Sequence, residues 1–99
     1  MITKENILSK LRLKKNAFAE LGVSDIGLFG SYAHNTQTHT SDIDLLIHFK
    51  PGKENFDNYM AAYDLFESMF KGTKIEIVTK NGLSPHIGPR ILSDVVYYL

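Results

Sequence analysis

The sequence predicts an α/β (α+β) domain in which helices pack on one face of a small mixed β-sheet. Three observations carry that expectation. Stretches of helical hydrophobic period alternate with short apolar strands, turn residues punctuate every junction, and ninety-nine residues suffice for one core but not two. Residues 1–99 are accordingly read as a single domain.

From Thr3 to Leu21, Ile7, Leu11, Phe18 and Leu21 recur at helical spacing, with Thr3 placed to cap the start and Gly22 to follow the end. Ser24 to Phe29 reads as a first strand, ended abruptly by Gly30-Ser31. "SYAHN" suits one or two helical turns, and "TQTHTS" is a hydroxyl-rich loop. "DIDLLIHF" is a second strand, stopped by Pro51-Gly52. Between Asn55 and Phe70, the stripe Phe56, Tyr59, Met60, Tyr63, Phe66 and Phe70 predicts a helix laying large rings on the sheet. "KIEIVT" is a third strand with Ile75 and Ile77 on one face and Glu76 on the other. A last helix is expected from Pro89 through "VVYYL", whose apolar end suggests packing on another chain and a possible homo-oligomer.

Eleven basic residues balance eleven acidic ones, so no overall field attracts nucleic acid or a membrane surface. Without cysteine there is no disulfide framework and no thiolate chemistry. "MITKENILSK" lacks an apolar leader and no run reaches membrane-spanning length, so a cytoplasmic location is expected.

The chemistry concentrates between Phe29 and Phe49. Asp42 and Asp44 stand two apart in a strand, which points both to one face while Ile43, Leu45 and Ile47 take the other. Two carboxylates in a partly buried strand repel unless a cation lies between them. Oxygen-only ligands favour a hard ion such as Mg²⁺ or Mn²⁺. Glu76, alone between two isoleucines of a neighbouring strand, is the third acid, and three carboxylates from two strands frame a two-metal site. Gly30 lets backbone approach a ligand, and Ser31 adds an N–H and a hydroxyl, so the pair is read as a phosphate seat. The plainer alternative makes Asp42 a turn or cap residue and Asp44 a satisfied polar group.

"LFGSYAHNTQTHTSDIDLLIHF" resembles the signature of the polymerase-β-type nucleotidyltransferase superfamily, a Gly-Ser followed after about ten residues by Asp-hydrophobic-Asp. The short length, "KIEIVT" and "LSPHIGPRIL" resemble its minimal nucleotidyltransferases, many of which are antitoxin partners of helical HEPN-type toxins. The resemblance implies that Gly30 and Ser31 contact the nucleotide and that Asp42 and Asp44 bind two Mg²⁺ ions. Glu76 would be the third catalytic and metal-binding acid, commonly aspartate in that family. It implies ATP as substrate, with a hydroxyl attacking its α-phosphorus and pyrophosphate leaving. In antitoxin members the acceptor is a tyrosine of the toxin. The alternative is a weak or inactive module that binds nucleotide or metal and neutralises a partner by contact.

Other polar residues read more simply. His34, His39 and His86 share no metal-ligand spacing, while His48 falls on the carboxylate face of its strand. Lys74 and Arg90 are expected to be solvated, Ser41 to satisfy its loop, Tyr32 to be exposed, and Tyr97 or Tyr98 to pack.

Overall fold

A computed structural model describes residues 2–97. Helix α1, Lys4–Leu13, opens on a reciprocal cap: Thr3 Oγ1 accepts from the Asn6 N–H at 3.2 Å, and the Thr3 N–H donates to Asn6 Oδ1 at 3.1 Å. The continuous helix expected to Leu21 is instead broken at Lys14, and α2 runs Lys15–Glu20. A straight helix over this stretch would be ~28 Å long, against ~23 Å for a seven-residue strand beneath it. The break keeps Phe18 over the sheet, where its ring sits 4.6 Å from that of Phe66. Leu13, at the elbow, is left 83% exposed.

Strands β1 (Val23–Phe29) and β2 (Ile43–Phe49) are antiparallel neighbours. Helix α3, Phe56–Met69, then crosses over to β3 (Ile75–Thr79), which lies parallel to β2, as a parallel pair requires. A short 3₁₀ turn, Lys80–Gly82, leads to α4, Gly88–Asp94, with Pro89 in its first turn. Val96–Tyr97 adds β4 antiparallel to β1, giving the mixed sheet order β3-β2-β1-β4. None of the described helices is long and apolar enough to cross a membrane.

The last helix is therefore shorter than expected. β-Branched Val95 and Val96 favour extended backbone, and the free edge of β1 supplies hydrogen-bond partners. Gly27 permits the approach, since a Cβ there would collide with Val95 Cγ2. Tyr98 and Leu99, the rest of that expectation, lie outside the described residues.

One hydrophobic core joins α1 (Ile7, Leu11), α2 (Phe18) and α3 (Ala62, Phe66) to Ile26, Leu28, Ile43, Leu45 and Ile47 of the sheet. Burying Phe18 and Phe66 contributes roughly 1.5–3 kcal/mol each. The aromatic stripe is core at Phe66 and Phe70, but Phe56, the first residue of α3, is 76% exposed. Tyr32, expected at the surface, is 3% exposed and belongs to the core. The polar run after it, His34 to Ser41, left that burial unmarked.

Candidate active site

The candidate site residues gather on the carboxylate face of the sheet. Register places Asp44 of β2 beside Glu76 of β3 on one side and Phe29 of β1 on the other. Further along the same face, Leu46 is fully buried, opposite Gly27 and Val78. Asp44 thus sits beside a fully buried leucine on a face that is otherwise only partly covered.

Electrostatics follow from that placement. Burial, the Glu76 carboxylate, the Asp42 carboxylate and a hydrogen bond with Glu76, in that order, push the Asp44 carboxyl up to about 6. The ionised Asp44 carboxylate is therefore held against partial burial and the neighbouring acids. The pair is a place where positive charge is wanted.

Gly30 is shaped around Asp44. Its φ of +76° belongs to the region glycine tolerates, and an added Cβ would collide with Asp44 Oδ2. Ser31 follows in a chain of turns rather than a regular helix. Its carbonyl accepts from His34 N–H (3.2 Å), Thr36 N–H (2.9 Å) and the Thr36 hydroxyl (3.3 Å). Asn35, at φ +58°, closes the turns. The loop beyond is pinned where Thr38 N–H donates to Ser41 Oγ at 2.9 Å, the local role expected of Ser41. His34 Nε2 lies 3.6 Å from Asp94 Oδ2, linking the Gly-Ser turn to the end of α4.

Asp42 stands apart. It precedes β2, and its Oδ2 is 4.0 Å from Nζ of Lys74, a residue whose side chain is largely solvated. It lines a polar cleft of about 440 Å³ with Tyr32, Ser41, Thr73 and Lys74, whereas Asp44 and Glu76 line a different one. The three expected site acids therefore divide: Asp44 and Glu76 meet, and Asp42 acts on Asp44 through its charge while turned towards Lys74. Among the described residues, no three acidic or imidazole side chains form a group able to hold one metal ion.

The second cleft, about 390 Å³, has Asp44 and Glu76 at its polar end, Phe29 and Val78 from the sheet, and Leu83, Ile87 and Ile91 from the segment after β3. Sequence reasoning missed this apolar wall. Its signal was there in "LSPHIGPRIL", where Leu83, Ile87 and Ile91 recur every fourth residue. His48 also lies on the carboxylate face, with Nε2 2.8 Å from the Tyr97 hydroxyl, which packs Tyr97 as expected. Burial first, then Lys80, lowers the His48 pKa, with Asp25 opposing.

Comparison with known proteins places the chain in a family. The family model described as a nucleotidyltransferase domain matches residues 11–98, a span that includes Gly30, Ser31, Asp42, Asp44 and Glu76. The chain belongs to the nucleotidyltransferase family. Within that family it is 33% identical to the protein adenylyltransferase MntA of Thermococcus cleftensis, over 98% of this chain and 97% of MntA. It is 40% identical to a provisionally named protein adenylyltransferase of Methanocaldococcus jannaschii, over 76% of this chain and 78% of that protein. A solved structure provisionally named a minimal nucleotidyltransferase shares the fold, with a TM-score of 0.80, 23% identity, and 96% and 95% of the two chains covered. A toxin–antitoxin structure with AMP-PNP superposes at a TM-score of 0.65 and 20% identity, covering 99% of this chain and 73% of the other. This nucleotidyltransferase thus has the small mixed sheet of the minimal members, with the Gly-Ser turn and Asp44–Glu76 pair at one end of one face.

Proposed function

We propose that this nucleotidyltransferase, working as a single domain over residues 1–99 in the cytoplasm, moves AMP from ATP to a tyrosine hydroxyl of a HEPN-type toxin and so acts as its antitoxin. The observation that carries the proposal is the Asp44–Glu76 pair lining one cleft, with the Gly30 backbone in close approach to Asp44. MntA and the M. jannaschii relative, named as protein adenylyltransferases, supply the reaction class. The neighbour solved as a toxin–antitoxin with AMP-PNP supplies the kind of partner and the nucleotide.

The donor set fits Mg²⁺. It is all oxygen, and the charge crowding that raises the Asp44 pKa is what a divalent ion relieves. Asp44 and Glu76 would hold the ions, with Asp42 joining as it exchanges its long contact with Lys74; Mg²⁺ asks for one or two carboxylates, the rest coming from phosphate and water. When bound, the ions neutralise the carboxylates and triphosphate and polarise the phosphate. Gly30 lets the turn backbone approach the phosphates, and Ser31 offers its N–H and hydroxyl to them. Glu76 takes the proton of the attacking hydroxyl, whose oxygen bonds the α-phosphorus as pyrophosphate departs.

The Asp42–Lys74 contact also favours a second reading, in which the chain binds nucleotide or metal weakly and neutralises its toxin by contact alone. One experiment separates the two. The chain is incubated with α-labelled ATP, Mg²⁺ and the HEPN-type protein, beside the Asp42→Ala/Asp44→Ala variant. Label on the toxin with the parent chain and none with the variant is the expected result. Equal label with both would refute catalysis by these acids. Absent label, with the variant still neutralising the toxin, would establish the contact mechanism.

A further inference from the structure

The sheet order β3-β2-β1-β4 leaves two outer edges. β4 offers only Val96–Tyr97, whereas β3 offers Ile75–Thr79. One bond gives the backbone direction along β3. The Ile43 N–H donates to the Lys74 carbonyl at 2.9 Å, so Lys74 faces β2. Alternation along the strand then turns Glu76 and Val78 inwards as well, and Ile75, Ile77 and Thr79 outwards. Among the described residues, the N–H groups of those three and the carbonyls of Ile75 and Ile77 meet no hydrogen-bond partner. Such a row is a template for one more strand.

There is room for the side chains of an added strand on both sides of the sheet. On the helix side, a groove of about 310 Å³ lies between α3 and the start of β3, with Tyr63, Glu67, Phe70, Lys71 and Ile75 in its wall. On the other side, Glu76 and Val78 line the cleft beside Asp44. Alternate side chains of the added strand would enter an aromatic-walled groove and stand beside Glu76.

Charge selects the occupant. Exposed Lys74 and Lys80 flank β3, and Lys74 is engaged only by its 4.0 Å contact with Asp42. A second copy paired antiparallel about Ile77 would use all five residues of β3, and that register sets Lys74 opposite Lys80 of the other copy at both ends. Like charges directly opposite one another destabilise a ladder. Shifting the register by two residues either way pairs only three of the five. A strand with an acid opposite each lysine meets no such repulsion, and Glu67 and Glu76 restrict its acids to those ends.

We propose that the outer edge of β3 takes up an extended segment of a different protein as a fifth strand. That segment carries acidic residues at the spacing of Lys74 and Lys80, with apolar side chains between them for the groove beside Tyr63 and Phe70. Backbone bonds to Ile75, Ile77 and Thr79 hold it, and the lysines and the groove choose it. The interaction stands apart from the transferase reading, since it needs no nucleotide and neither Asp42 nor Asp44.

The test is amide hydrogen exchange, read by NMR on the full chain, with two end-blocked peptides, EVTVTVE and KVTVTVK. They differ only at their ends; in both, the valines face the helix side and the threonines the side of Glu76. EVTVTVE is expected to bind about tenfold more tightly than KVTVTVK. At ~10 times its Kd it should slow exchange at Ile75, Ile77 and Thr79 about tenfold. Lys74→Glu/Lys80→Glu alters two exposed side chains and should reverse the preference, while the parent chain alone already decides between the peptides. The proposal is overturned if EVTVTVE leaves those three amides unprotected, if the two peptides bind alike, or if the folded variant keeps the parent's preference. Protection of the same amides that grows with the concentration of the chain alone would also overturn it, because a second copy then holds the edge.

Discussion

Replacing Asp44 by asparagine is expected to stabilise the metal-free protein near neutral pH. The Asp44 carboxyl is raised from 3.8 to about 6, so the folded chain holds its proton more tightly than the unfolded chain does. Its stability contribution is complete below about pH 4 and is lost as pH rises from about 4 through about 6. At pH 7.5 the ionised carboxylate is therefore a net liability, held against burial and the charges of Glu76 and Asp42. At ~1.36 kcal/mol per pH unit the ceiling is ~3 kcal/mol, and screening at a half-exposed group reduces it to ~1–2 kcal/mol. Asparagine keeps the shape of the side chain and removes its charge.

Urea unfolding of parent and Asp44→Asn, at pH 7.5 and at pH 4 with chelator present, measures the difference directly. The variant should gain ~1–2 kcal/mol at pH 7.5, roughly 4–16 °C in Tm for a domain of this size. The gap should close at pH 4, where the parent carboxyl is protonated. Adding Mg²⁺ at pH 7.5 should raise the parent's stability more than the variant's. A variant less stable than the parent at pH 7.5, or a gap that does not change with pH, would refute the electrostatic reasoning.

Two more perturbations test the surroundings of Asp44. Gly30→Ala combines a left-handed backbone with a collision at Asp44 Oδ2; a loss of ~2–4 kcal/mol is expected by chemical denaturation, and a loss below ~1 kcal/mol would contradict the packing. Lys74→Ala removes a solvated cation 4.0 Å from Asp42; stability should change by no more than ~0.5 kcal/mol in the same assay, and a larger loss would mean that the contact holds the strand ends together.

Much of this site could be read in the sequence because it depends on short-range geometry. Asp44 and Glu76 each interrupt an apolar alternation, and strand period alone puts each on the polar face of its strand. Asp42 shows the limit of that reasoning. Its position two residues before Asp44 predicts a shared face, but it lies before the strand begins, where the period no longer governs it and Lys74 is within reach. Tyr32 and β4 escaped for a different reason. Each is settled by a partner distant in sequence: the shared core for Tyr32, and the open edge of β1 for Val96–Tyr97. Local pattern carries no record of such partners.

The two faces of the sheet divide the apolar core from the candidate site. Ile43, Leu45 and Ile47 are fully buried on the helix side, in the core with Phe18 and Phe66. On the other face the same strand holds Asp44, whose charge opposes folding at neutral pH. A one-residue slip of β2 would exchange the two sets, burying the acids and exposing the isoleucines, so the core that stabilises the domain also fixes the register of the site. Gly30 reinforces it locally, because only a residue without a Cβ can pass so close to Asp44 Oδ2. The strain at Asp44 therefore remains as unsatisfied charge rather than being relieved by movement of the strand, and a cation or a proton is what relieves it.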